Sequence, residues 1–417
     1  MMLINPFQLF KPPVAIDGYI YSLLLLLGIA SLLGEYDFAI LNLALPQIQT
    51  SFEIPDDELG AMSGLIRFGI VPAFLVAMFA DRVGRKPMLM ITILGFTVCT
   101  VATAFTQNVE QFVIAQFLTR TFLGAETALA FVLLIEEVPA AARGWALGIL
   151  TAMIALGQGI ASIVYAGIEQ LPLGWRGAYL VGLLPLLLLI YARRGIRETR
   201  AFSPVKSTGN PFTPLLEVFN HQRSTFLLLV VALLLTYTAA IAGFTFTSHS
   251  LQRDHGYSPG QVSVLFISGG VFIPLANLMG GKLSDRLGRR TVLIAGLVLG
   301  NLALLGFYQC TGVVVPILWT LTYVGYAMVD LMFAAYAAEL FASSRRATAS
   351  GLRATLMALG GGIGLLIESY FYPIFNSHGQ VLSLLLILTI PVPFLVFWKF
   401  PETSRKSLES ISQTETI

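Results

Sequence analysis

The sequence predicts an all-α membrane protein: twelve transmembrane helices in two pseudo-symmetric six-helix halves. Three observations carry that prediction. The 417 residues are 56% hydrophobic and 12% charged, with a mean hydropathy of +0.79, too apolar for a water-soluble domain and suited to lipid as solvent. The apolar residues gather into twelve windows, each near the roughly 20 residues that a helix needs to cross a bilayer. A polar knot between two of these windows, AMFADRVGRK at Ala77 to Lys86, returns as GKLSDRLGRR at Gly281 to Arg290, so that Asp285 stands 204 residues after Asp81. A repeat of that period implies two similar halves.

In chain order the windows fall at 19–46, 57–80, 88–106, 111–138, 144–168 and 177–192, then at 224–250, 260–281, 291–310, 314–341, 347–374 and 380–398. The first follows Lys11 and two prolines without a small-residue cleavage site, so it is expected to stay as the first helix. Between the sixth and seventh lies the one long polar stretch, 193–223, with Ser203-Pro204, Ser207-Thr208-Gly209-Asn210-Pro211 and Pro214. We read it as a flexible cytoplasmic tether in which Pro211 to Phe219 forms a short amphipathic surface helix. The expected parts are therefore an N-terminal half 1–192, a linker 193–223, a C-terminal half 224–398 and a cytoplasmic tail 399–417.

Twelve crossings put both termini on one side. Lys and Arg concentrate there, and only Arg176 and Arg253 are assigned to the opposite loops, which carry Glu53, Asp56, Asp57, Glu58, Glu110, Glu169 and Asp254. The positive-inside rule makes the terminal side cytoplasmic, in the cell membrane. The net charge of +2 hides this asymmetry, which is a topological signal and no indication of nucleic-acid binding. Cys99 and Cys310, one in each half and both inside spans, read as small buried residues and no disulfide framework.

The repeat extends beyond the knots. ALGQGI at Ala155 to Ile160 reappears as ALGGGI at Ala358 to Ile363, and Glu136 and Arg143 recur as Glu339 and Arg346. Asp81, Arg82, Gly84, Arg85, Glu136 and Arg143, with Asp285, Arg286, Gly288, Arg289, Glu339 and Arg346, are expected to form gate latches at cytoplasmic helix ends, each weak enough to break during a working cycle. Gly157 and Gly159, like Gly360, Gly361, Gly362 and Gly364, allow close helix contact and bending.

Charges inside spans point to function, because each costs about 2.5–3.5 kcal/mol at bilayer depth. The first half has Glu35 and Asp37, Arg67, Arg120 and Glu126; the second has Asp330 and Glu368. Asp330 follows Glu126 by 204 residues, which suggests a central site between the halves. At about 100° per residue, Glu35 and Asp37 point to nearly opposite faces, and Arg120 and Glu126 diverge as well. Arg67 and Arg120, taken as the deep bases, are expected to neutralise two of the three acids and leave one free to exchange a proton. Asp37, Glu126, Glu35 and Asp330 are the proton-coupling candidates. Trp319, Tyr323, Tyr326 and Asp330 share one helix face; with Tyr237, Phe244, Arg67, Arg120 and Glu368 they are the substrate-binding candidates, offering stacking and ionisable groups to an amphiphilic organic solute. His249 and His255 read as ordinary interfacial residues.

The paired Asp-Arg-x-Gly-Arg-Lys/Arg loops resemble those of the major facilitator superfamily, whose members carry them between helices 2 and 3 and between helices 8 and 9. Glu35-Tyr36-Asp37-Phe38 followed by Ala44-Leu45-Pro46 is similar to the first helix of metabolite:proton symporters and related organic-acid and organic-ion transporters, and Gly124-Ala125-Glu126 resembles their Gly-Gly-Glu. Gln116 stands where that group carries Arg, and Arg120 lies one turn further along. Pro401-Glu402-Thr403 with Ser407-Leu408-Glu409 is similar to the tail of sugar porters and organic-ion transporters. The resemblance implies a secondary active transporter of a small organic solute, working by alternating access as a proton-coupled symporter.

Three alternatives stay open: proton-coupled efflux of organic compounds or drugs, sugar transport, and a transport-inactive receptor or scaffold. Against sugar stands the stretch from Thr236 to Ser250, which has no Gln or Asn to pair with hydroxyls. Against efflux stands Ala161-Ser162, where the antiporter signature has Gly-Pro. No HExxH, Walker loop, Gly-x-Ser-x-Gly or Cys/His metal spacing occurs, so we expect neither an enzyme nor a cofactor or metal. The expected partners are the solute, protons and the bilayer, with the chain as a monomer.

Overall fold

The computed structural model describes residues 11–193, 219, 223–341 and 346–404, and not the side chains of 78, 81, 82, 140 and 346–351. Most of the expected linker and the surface helix expected at 211–219, apart from Phe219, therefore lie outside the described residues, as do the side chains of Asp81, Arg82 and Arg346. Twelve helices are long and apolar enough to span a membrane: α1 Gly18–Leu43, α2 Asp56–Ala77, α3 Arg85–Ala104, α4 Val109–Glu137, α5 Arg143–Ala166, α6 Trp175–Arg193, α7 Arg223–Arg253, α8 Pro259–Leu287, α9 Arg289–Gln309, α10 Val314–Glu339, α11 Leu352–Phe375 and α12 His378–Lys399. No strand occurs among the described residues. The protein is an all-α, multi-pass integral membrane protein, as the hydropathy windows predict.

Local chemistry sets the helix ends. Asn108 caps α4 by accepting from the Gln111 amide at 2.9 Å, and Ser258 opens α8 with a reciprocal capping box to Gln261. Both polar knots turn on a glycine: Gly84 ends one helix and starts the next at φ 111°, and Gly288 does the same at φ 100°, a backbone region closed to other L-residues without strain. Cys99 is buried as expected; Cys310 is not, because it falls just past the end of α9 and is exposed.

The chain forms two compact units. One comprises residues 1–41 and 69–208, the other 42–68 and 209–417. In the first, Leu23, Leu24 and Leu27 of α1 pack with Leu89 of α3, Leu133 and Leu134 of α4 and Leu150 of α5, while Leu186 and Leu189 bring α6 against Ala30, Ile93 and Phe96. In the second, α9 lies along α10, and α11 along α7 and the first part of α2. An added Cβ at Gly364 would run into the Thr238 carbonyl of α7, so α11 approaches α7 as closely as small residues allow. Gly157 meets the Leu32 carbonyl in the same way, whereas Gly159 faces open space. Leu184, Leu188, Val264, Leu302 and Trp398 remain exposed, as lipid-facing positions should.

Candidate functional site

In the first unit, Asp37 is buried to 1% exposure on α1. Its carboxylate lies 3.4 Å from Arg120 Nη2 of α4 and accepts from Thr100 Oγ1 of α3 at 3.1 Å. Gln116, one turn before Arg120, accepts from Arg120 Nη2 at 3.1 Å and donates to Thr103 Oγ1 at 3.2 Å. Arg120, shifted a turn from the place where the resembling group carries its Arg, thus still reaches the acid, and Gln116 steadies the guanidinium. That guanidinium also sits 4.6 Å from the ring centre of Phe38, a cation–π contact. Its Nε and Nη1 are buried without a hydrogen-bond partner among the described residues. Gly69, where α2 breaks into two helical pieces, leaves room for this contact, because a Cβ there would strike the Phe117 carbonyl and crowd Arg120.

Glu126 belongs to a different cluster. It faces Arg193, the last residue of α6, at 2.5 Å, and accepts from Thr92 Oγ1 at 2.6 Å. Arg193 is fully buried and also reaches the Leu89 carbonyl at 3.3 Å. Arg120 thus pairs with one acid, Asp37, as expected, but the expectation that Arg67 and Arg120 are the deep bases of this half is corrected at Glu126, which Arg193 neutralises. Hydropathy alone places Arg193 at the head of the linker, but its long side chain carries the charge back into the bundle. Glu35, half-buried, stands against α5 at Gly157, away from Asp37, which agrees with the helical-wheel argument.

In the second unit, Asp330 of α10 is bridged by Arg353 of α11 and accepts from Tyr237 Oη of α7 at 2.9 Å. Arg353 lies inside the eleventh hydrophobic window, where its charge against an apolar run could have singled it out. The repeat therefore matches the two acids, Glu126 and Asp330, but not their bases. Arg67 donates to Thr245 at 3.1 Å. Phe244 is the centre of the aromatic face, with ring centres of Trp319, Tyr323 and Tyr326 at 5.5, 5.4 and 5.5 Å. Trp319 is fully buried between Phe266 and Phe307, while Phe244 keeps exposed surface. Tyr326 donates to Asn301 at 2.6 Å. Glu368 is fully buried against His378, away from these rings. His249, expected at an interface, is buried and holds Gln49 at 2.9 Å.

The residues expected to form gate latches repeat in space as in sequence. Arg85 meets Glu136 at 3.1 Å, and Arg289 meets Glu339 at 3.4 Å. Arg289 also pairs with Asp285 at 2.8 Å, Arg143 Nε donates to the Val138 carbonyl at 3.2 Å, and Arg286 is exposed. Each of these bridges is internal to its unit. The tail adds a partner that the charge pattern did not reveal: Glu402 accepts from the amides of Arg289 at 2.8 Å and Arg290 at 3.2 Å, at the N-terminus of α9, and Thr403 donates to Glu339 at 2.6 Å.

Comparison with known proteins agrees with this architecture. A protein of Cupriavidus pinatubonensis described as a "probable 4-methylmuconolactone transporter" is 26% identical over 92% of this chain and 91% of its own. The benzoate transport protein of Acinetobacter baylyi is 23% identical over 87% of this chain and 86% of its own. The inward-open structure of the xylose transporter of E. coli superposes with a TM-score of 0.74 at 19% identity, over 95% of this chain and 99% of that one, which speaks to the fold alone. The sequence profile of the Major Facilitator Superfamily matches residues 27–272 and 228–416. The chain is a secondary transporter that belongs to the Major Facilitator Superfamily.

Proposed function

We propose that the protein takes up a small organic carboxylate, aromatic or otherwise amphiphilic, together with a proton, by alternating access. The observation that carries this reading is Arg120: a buried guanidinium with two nitrogens lacking an acceptor among the described residues, next to a buried carboxylate. While Asp37 is ionised it occupies Arg120. Protonation of Asp37 removes that competitor, and the guanidinium becomes available to a carboxylate, its natural bidentate partner. Proton and anion then favour each other's binding, which is the thermodynamic requirement for symport. Relatives named for methylmuconolactone and benzoate support a carboxylate as the solute. Within the second unit, the half-buried Phe244 and the Asp330–Arg353–Tyr237 cluster are further candidate contacts for a solute.

In this reading the segments flanking α1 and α12 face the cytoplasm, because Lys and Arg concentrate there. The membrane is the cell membrane, the working unit is a monomer, and the halves 1–192 and 224–398 supply the alternating exposure. The test is uptake of radiolabelled benzoate into proteoliposomes, with protein-free liposomes subtracting passive entry of the neutral acid. We expect saturable uptake, and at least a tenfold loss in Arg120→Gln, since a charged hydrogen bond contributes about 1.5–3 kcal/mol. Saturable uptake of a neutral polyol instead, or an Arg120→Gln variant with unchanged half-saturation, would contradict the reading.

A further inference from the structure

At the end of the second unit opposite the Asp285–Arg289 turn, three side chains with metal-ligating atoms converge. Asp56 is the first residue of α2, His249 lies in the last turns of α7, and His378 opens α12; one ligand atom from each lies within 4.8 Å of the others. Both histidines are more than nine-tenths buried. His378 Nδ1 is 2.6 Å from Glu368 Oε1 on α11. A carboxylate accepts the Nδ1 hydrogen and so directs the Nε2 lone pair the other way, toward Asp56 Oδ1 at 4.0 Å. There Nε2 is buried and makes no hydrogen bond among the described residues, at a cost of about 1–3 kcal/mol for an unsatisfied group. The His378 ring is clamped between Phe246, stacked at 4.3 Å, and Tyr372 at 4.5 Å, with the edge of His249 at 4.9 Å.

A carboxylate behind one imidazole nitrogen, with the other nitrogen exposed to a second imidazole and a carboxylate, is the arrangement that orients a histidine for a divalent transition ion. We propose that Asp56, His249 and His378 bind a zinc-class cation, with Glu368 positioning His378. Two imidazoles and a carboxylate suit zinc, whose Zn–N and Zn–O bonds of about 2.0–2.2 Å would draw the ligand atoms together by roughly an ångström. His249 would leave Gln49, which already reaches Asp56 at 2.5 Å. The bound ion would tie the starts of α2 and α12 to the end of α7.

The experiment is isothermal titration of Zn2+ into full-length protein, purified in detergent, stripped with chelator and freed of any polyhistidine tag; Co2+ absorption reports geometry in parallel. We expect one ion per chain at micromolar affinity or tighter, with the intense visible bands of a four-coordinate nitrogen and oxygen site. His378→Ala and His249→Ala should lose this binding, and His255→Ala should keep it. Glu368→Gln should weaken affinity about 10- to 100-fold without removing a ligand. The proposal is overturned if the unmodified protein binds no Zn2+, an outcome independent of whether any variant folds. It is also overturned if the His249→Ala/His378→Ala variant, eluting as wild type in size-exclusion chromatography, binds Zn2+ equally.

Discussion

Arg193 and Glu126 form the most fully buried ion pair in the described residues, with the two side chains 0% and 1% exposed. Such a pair is costly to break and inexpensive to replace. Arg193→Ala should therefore lower stability by about 3–5 kcal/mol, while Glu126→Leu with Arg193→Met should recover most of that loss. Thermal unfolding in detergent measures both, and equal destabilisation by the single and double changes would refute the pairing. Asp330 gives the contrast. Its side chain is 46% exposed beside Arg353, so Asp330→Asn should change stability by about 1 kcal/mol or less and yet reduce uptake if the cluster takes part in transport. The acids themselves were legible as charges inside apolar runs. Of their bases, Arg120 and Arg353 lie inside apolar windows and carry the same signal, whereas Arg193 falls one residue past the sixth window, and the reach of its side chain back to Glu126 is invisible to a window.

At the level of elements, the twelve spans and both knots could be read directly from the sequence, because the length of an apolar run and a Gly between charged turns are local features. Tail contacts could not be read that way. Glu402 lies 113 residues from Arg289, yet accepts its amide hydrogen; nothing local marks an acid that caps a distant helix. Gly288 combines φ 100° with a Cβ direction blocked by the Glu402 carboxylate. Gly288→Ala should cost about 1–3 kcal/mol from backbone strain with further loss of the cap. The nearby Gly281→Ala, which meets nothing within 4 Å, should be neutral or slightly stabilising within its helix. Thermal unfolding of the two variants side by side checks this, and equal effects would contradict it.

For the whole molecule, the 204-residue repeat announced duplicated architecture, and the matched Arg85–Glu136 and Arg289–Glu339 bridges bear it out in space. Symmetry said less about the charged clusters, since Glu126 and Asp330 take their bases from non-equivalent helices. In the proposed cycle, protonation of Asp37 releases Arg120 for a carboxylate, so that proton and solute move together. This coupling is read from the internal pH of proteoliposomes carrying an entrapped fluorescent indicator, after benzoate is added outside at pH 7.5. Relative to protein-free liposomes, the wild-type protein should accelerate acidification of the lumen. Asp37→Asn should abolish that excess while still exchanging labelled for unlabelled benzoate. Protein-mediated benzoate entry without excess acidification, or an Asp37→Asn variant that acidifies the lumen as fast as wild type, would contradict the account.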